Sequence, residues 1–294
     1  WTPVCWAVLA FSAYAIGRYF TADIEYVARQ EVLKVLVYAF FFFVVINNLH
    51  RQETTQIISL TMIFLGMAIS FYALYQYLAD SNRVWHVFKP YNGRASGTYI
   101  SPNHLAGFLE MILPLGLAYT LMSRFRTLYK VFFGYASLVM VGGIAVTVSR
   151  GSWIAITLAL LFFFAVLYFN GTYRLPALVF LVLVVVAGVL FIPRSSSMEA
   201  RLKQMLQPKK AEDDTRFALW GPTVKVWQEN VWWGVGPAHF DSRFRQYRPE
   251  IVQLRPDRAH NDYLNTLADW GVVGAALVAS AWVLLGIGAW KTWG

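Results

Sequence analysis

Charge is scarce in this sequence. Asp, Glu, Lys and Arg make up only 14% of its 294 residues, against roughly a quarter in soluble domains, so the chain cannot cover itself with a solvated surface. Cysteine is nearly missing too. Cys5 stands alone, which excludes an internal disulfide, and its place in an apolar stretch is that of an inert buried thiol. There is no Asp-x-Asp and no clustered set of His and carboxylate ligands, so a metal-dependent sugar-nucleotide transferase lacks its usual residues. Glu212-Asp213-Asp214 reads as a solvated turn rather than a metal site. Gly234-Val235-Gly236 is followed by no Gly-Lys-Ser/Thr, so it is no phosphate-binding P-loop. No charged segment precedes the first apolar block and no small-residue cleavage site follows it, so a signal peptide is not read there. With Trp1 in place of an initiating Met, the chain is expected to be an internal piece of a longer membrane protein.

What is present is apolar surface. Hydrophobic residues are 57%, aromatics 17%, and the mean hydropathy is +0.47. A helix crossing the bilayer needs about 20 apolar residues, and eight blocks approach that length: 3–19, 32–48, 57–78, 104–122, 129–148, 152–169, 175–192 and 272–290. The expected fold is therefore all-α, a polytopic membrane protein of about eight transmembrane helices plus a helical extracytoplasmic loop. Its organisation reads as a seven-span bundle at 1–192, a long loop at 193–270 that carries site residues, and a last span at 271–294. The loop has helical patterning at 197–206, 215–230, 239–248 and 261–270. Gly221-Pro222 is expected to start or kink a turn, and Gly271 to end the last helix at its C-cap. Five tryptophans in the loop suit a surface lying on lipid headgroups.

The formal charge of +9 has to be read loop by loop. The long loop holds twelve Lys/Arg against ten Asp/Glu and is nearly balanced, yet Arg243, Arg245, Arg248, Arg255 and Arg258 crowd one stretch of it. A membrane-borne anion such as a lipid phosphate suits them better than nucleic acid. Parity of the spans puts the loops after the third, fifth and seventh spans on one side of the membrane. The cluster Arg124, Arg126, Lys130 argues that the opposite side is cytoplasmic. Arg83, Lys89 and Arg94 offset that bias on the other side, and the motif side is expected to be extracytoplasmic.

Four polar segments lie on that side. They are Arg94-Ala-Ser-Gly97 leading to Pro102-Asn103-His-Leu-Ala106, then Ser149-Arg150-Gly151, then Arg216-Phe-Ala-Leu-Trp220 opening the long loop, and finally His260-Asn261-Asp-Tyr-Leu264 closing it. In this order and in register with the spans, they resemble the O-antigen ligase superfamily from Arg94 onward. One departure is visible: relatives often carry Asn-Pro before the Gly-x-Gly, where this chain has Asn230-Val-Trp-Trp233. Full-length relatives have about a dozen spans, which implies roughly two more at each end.

The resemblance implies glycan transfer from undecaprenyl diphosphate to an acceptor hydroxyl, a lipid A-core sugar first of all, at the periplasmic face of the bacterial inner membrane. It implies no cofactor and no metal; its partners are the lipid-linked glycan donor, the lipid A-core or another glycan acceptor, and membrane lipid. Such chemistry needs a cation to hold the leaving diphosphate and a base to take the hydroxyl proton. Arginine suits the first task because its guanidinium stays charged and binds phosphate oxygens bidentately. Histidine suits the second because it titrates near neutral pH. The resemblance assigns these catalytic roles to Arg150, Arg216 and His260, and substrate binding to Arg94, Asn103, Asn261 and Trp220.

Each residue also has a plainer reading. Arg150 could be a snorkelling interfacial arginine, Arg216 a solvated charge, Arg94 part of an ordinary turn, and His260 a surface or helix-capping histidine, with Asp257 or Asp262 as neighbours that could orient it. Glu110 is the one acidic residue well inside a span; a structural pair with an arginine such as Arg150 is expected. Two rivals stay within the superfamily, a repeat-unit polymerase and a protein O-oligosaccharyltransferase. A transporter fits less well, since transporter sites sit near the midplane at broken helices and here the motifs sit at span ends.

Overall fold

A computed structural model describes residues 2–49, 51–169, 174–175, 178–179, 181–183, 186, 215–252 and 255–293. The chain forms two compact units, one of Trp1–His50 with Lys209–Gly294 and one of Arg51–Pro208. The architecture is all-α, with a single two-stranded pairing among the described residues.

The second unit is a helical bundle: α3 (Gln52–Leu78), a small hairpin of β1 (Arg83–Val84) and β2 (Val87–Phe88), α4 (Pro102–Leu121), α5 (Thr127–Val146) and α6 (Arg150–Phe169). Pro102 opens α4, where its missing N–H has no helical partner to lose. Leu105, Leu109, Leu113 and Leu117 recur every fourth residue on α4 and are fully buried against Ile63, Ala136, Met140 and Ile144. Small residues let the helices approach. A Cβ at Gly143 would stand 2.6 Å from Ser70 Oγ, and one at Gly116 2.6 Å from Ser137 Oγ. Both hydroxyls are satisfied within their own helices, by Gly66 O at 2.7 Å and Phe133 O at 2.8 Å. Close backbone packing of this kind replaces the hydrophobic drive that lipid cannot supply.

The first unit contains α1 (Pro3–Phe20), α2 (Glu25–Asn48), α7 (Thr215–Glu229), α8 (Phe240–Phe244), the 3₁₀ turn Arg245–Tyr247 and α9 (Asp262–Trp293). Helix α1 packs on α2 and α9, and α7 packs on α9. A small core of Leu219, Val226, Phe240, Phe244, Val252, Ala259 and Ala268 lies beneath the loop helices. Leu33, Val37, Phe40, Phe41 and Val45 of α2 are exposed and are suited to lipid.

Six described helices are long and apolar enough to cross a membrane: α2, α3, α4, α5, α6 and α9. The chain is a polytopic membrane protein. Most helix bounds lie within a few residues of the sequence expectation, but α2 begins at Glu25, seven residues ahead of the expected start at 32, because the polar stretch 25–31 continues the same helix. Gly221-Pro222, expected to start or kink a turn, lies inside α7, which continues through it to Glu229. Most of the expected span at 175–192, and all of the stretch 197–206, fall outside the described residues.

Candidate active site

In the second unit, the turn that carries Arg94 is built around one glutamine. Gln76, in the last turn of α3, is buried and all four of its amide hydrogen-bonding positions are used. Nε2 donates to Arg83 O at 2.9 Å and Gly97 O at 3.0 Å, while Oε1 accepts from Ser96 N at 3.2 Å and Gly97 N at 2.9 Å. Gly97 has φ +57°, and a Cβ there would lie 2.7 Å from Ile69 Cγ2, so the glycine of Arg-x-x-Gly is a steric requirement. Lys89 is buried beside it and donates to Arg94 O at 2.6 Å. Burial holds the Lys89 ammonium below its usual pKa, against the opposing pull of the Asp80 carboxylate.

Arg94 itself is a tether. Its Nε donates to Thr147 O at 2.8 Å and its Nη2 to Asn103 Oδ1 at 2.9 Å, while Ala95 N donates to Val146 O at 2.9 Å. These bonds join the start of α4 to the end of α5, so the Arg94–Ala106 segment meets the backbone just ahead of Ser149-Arg150-Gly151. Val148 follows at φ +52° and is buried, a left-handed conformation that a β-branched residue adopts only under strain. Buried Ser149 and Ser152 come next, with Ser152 Oγ donating to Ser149 Oγ at 3.0 Å, and Arg150 opens α6, half-buried. Glu110 makes no ion pair with Arg150. Its Oε1 is buried with no hydrogen-bond partner among the described residues, and Pro114 one turn on has no N–H for the Glu110 carbonyl.

In the first unit, α9 is broken. Gly271 has φ +65° and ψ −172°, a region open essentially to glycine alone. The freed backbone groups go to the turn 231–236. Val235 N donates to Ala268 O at 2.8 Å and Gly236 N to Asp269 O at 3.0 Å, while Val272 N and Val273 N donate to Val231 O and Trp232 O at 2.9 and 3.1 Å. From α1, Tyr14 Oη donates to Trp270 O at 2.6 Å, and Arg18 Nη2 to Gly234 O at 2.9 Å. Gly234, at φ +73°, packs so closely that a Cβ would stand 2.5 Å from Asp269 O. The Gly-x-Gly is thus the piece that satisfies the helix break.

His260 stands just ahead of that helix. Its backbone is left-handed at φ +51°, its side chain is exposed, and among the described residues its ring has no hydrogen-bond partner. Neither Asp257 nor Asp262 bonds it. Asn261 caps α9, its Oδ1 accepting from Tyr263 N at 3.1 Å and Leu264 N at 3.2 Å. Behind them lies Asp269, fully buried, which accepts from Phe240 N at 2.8 Å, Asn265 Nδ2 at 2.8 Å and Arg258 Nη1 at 3.5 Å. Arg258 Nη2 continues to Glu31 Oε2 at 3.0 Å.

Set against known proteins, the sequence model of the O-antigen ligase family matches residues 106–279. The chain belongs to that family. No curated protein and no solved structure matches it. The ligase match spans Arg150, Arg216, Trp220, His260 and Asn261, whereas Arg94 and Asn103 lie ahead of it. Arg150, Arg94 and Asn103 fall in one unit, and Arg216, Trp220, His260 and Asn261 in the other. Arg216 is the second residue of α7; Trp220 is half-buried against Phe217, ring centroids 4.7 Å apart. Of the five clustered arginines of this ligase-family chain, Arg243 pairs with Asp23, Arg255 with Asp241, and Arg258 with Asp269 and Glu31, while Arg248 donates to Val252 O. Arg245 is exposed and has no such contact among the described residues.

Sequence reading missed Gln76, Lys89, Asn265 and Asp269. A glutamine at the end of an apolar span, and an Asn and Asp spaced by four after the histidine, are the signals that could have found them. His239 is a buried structural residue: Nδ1 donates to Pro237 O at 2.8 Å and Nε2 accepts from Ile24 N at 3.0 Å. Among the described residues no group of three or more His, Cys, Asp or Glu side chains could hold a metal ion.

Proposed function

We propose that this membrane glycosyltransferase moves a glycan from undecaprenyl diphosphate to an acceptor hydroxyl, a lipid A-core sugar first of all, at the periplasmic face of the inner membrane. The observation that carries the reading is His260, an exposed ring with no hydrogen-bond partner among the described residues, on a strained backbone, in the stretch that the family match includes. Strain of this kind costs about 1–3 kcal/mol and persists where surrounding bonds over-determine it, most often at working sites.

In the proposed step, His260 takes the proton from the acceptor hydroxyl as its oxygen attacks the anomeric carbon. The bond from that carbon to the donor phosphate oxygen breaks, and the electron pair leaves with the diphosphate. Arg150 and Arg216 hold that developing charge. A single displacement of this kind inverts the anomeric centre. Arg94 and Asn103 serve substrate binding through the turn they brace, and Asn261 through the cap that aims His260; Trp220 offers a flat apolar face to a sugar ring.

The test uses native membranes carrying the full protein. His260→Ala is expected to keep donor binding while transfer falls by roughly 10²–10⁴, the usual worth of a general base, and the acid limb of the pH–rate profile should vanish. Arg150→Ala should instead weaken donor binding, with Arg150→Lys restoring only part of it. If His260→Ala abolishes donor binding and leaves the acid limb in place, the base lies elsewhere.

A further inference from the structure

A left-handed backbone at a residue with a Cβ has to be held from both sides, or it relaxes. On the C-terminal side of His260 the Asn261 cap does this. On the N-terminal side, Ala259 N donates to Asn265 Oδ1 at 3.0 Å, with both residues buried. That bond decides which end of the Asn265 amide is oxygen, and its Nδ2 then donates to Asp269 Oδ2 at 2.8 Å, one helical turn on. Asp269 closes the chain by accepting Phe240 N at Oδ1, 2.8 Å. The bonds run in one direction, from the backbone through an amide to a carboxylate. Only a group that accepts at one end and donates at the other fits position 265, and only an acceptor fits position 269.

We propose that Asn265 and Asp269 are positioning residues for His260, setting its backbone and so the direction of its ring; this rests on the reading of His260 as the base. Arg258 supports the pair from two residues before His260, through Asp269 and Glu31. None of these side chains needs to touch substrate.

Reversing the pair tests it. Asn265→Asp alone sets two carboxylates against each other, and Asp269→Asn alone sets two amide donors together or loses Phe240 N. Each single variant is expected to lower kcat about 10²-fold per folded molecule, as a misaimed group does, with the donor KM nearly unchanged. The double variant carrying both changes restores an unbroken chain with its middle bond reversed, and kcat should return to within about tenfold of the parent, on the scale of that same penalty. Amide hydrogen exchange at 259–261 should quicken in the singles and slow again in the double variant. Where His260→Ala is impaired, a double variant no better than either single, or singles whose kcat per folded molecule is unchanged, overturns the proposal, as does exchange that stays the same in the singles. Exchange that quickens and recovers upholds the positioning even where His260→Ala proves fully active, an outcome that removes the base reading alone.

Discussion

The two units treat one expected site residue each, Arg94 and His260, in opposite ways. In Arg51–Pro208 the guanidinium of Arg94 is spent inside the protein, on Thr147 O and Asn103 Oδ1, and a buried glutamine and lysine hold the turn around it. In the unit of Trp1–His50 and Lys209–Gly294 the polar network stops short of the His260 side chain. The side chains of Asn261, Asn265 and Asp269 accept from backbone N–H groups, and among the described residues the His260 ring has no hydrogen-bond partner. A site residue expected from a motif can therefore be bonded within the protein, as Arg94 is, or stand open, as His260 does among the described residues. The distinction lies in whether its polar atoms are already satisfied.

The largest effect that would sharpen this contrast is expected at the helix break. Gly271→Ala forces a Cβ into the Trp232 and Gly234 backbone at a φ/ψ that suits glycine alone, and should destabilise the first unit by about 3 kcal/mol or more. Gly288→Ala in the same helix meets nothing within 4 Å and should melt like the parent. Thermal unfolding in detergent reads both, and equal melting points would show that the break is not rigidly required.

Next comes the brace. Gln76→Leu keeps the volume but strands two backbone N–H groups and two carbonyls around Gly97 and Arg83, at a cost of roughly 2–4 kcal/mol. Proteolysis between α3 and α4 should quicken. An unchanged digestion pattern would mean that water satisfies the turn and that Arg94 needs no such support.

The smallest effect has the opposite sign. His260→Gly relieves the left-handed strain and should stabilise the protein by about 0.5–1 kcal/mol relative to His260→Ala. Chemical denaturation compares them. A glycine variant no more stable than the alanine one would say that His260 carries no strain, and the comparison between the units would lose its strongest point.

Much of the fold was legible because its signals are local. Apolar blocks of spanning length follow from the chain's own run of residues, and Pro102, Pro3 and Gly271 mark helix starts and the break in α9 through their own backbone chemistry. The four motifs were legible in the same way, as residue types at fixed spacing. Glu110 shows where that kind of reading stops. Its depth was plain from the span around it, but whether its Oε1 finds a partner depends on what neighbouring helices bring near, and among the described residues none does.

The sequence by itself thus determined the all-α membrane class, the order of the motifs and the family they belong to. The class and the order need only composition, periodicity and spacing, and the family rests on the resemblance of the motifs and on the matching family model. Tertiary structure decided what each polar atom does. Gln76 meets Gly97 across 21 residues, Arg94 meets Thr147 across 53, and Tyr14 meets Trp270 across 256. Such pairings cannot be read along the chain, because a buried donor takes whichever acceptor the packing of the helices carries to it, and leaving it unsatisfied costs more than any local preference can offset.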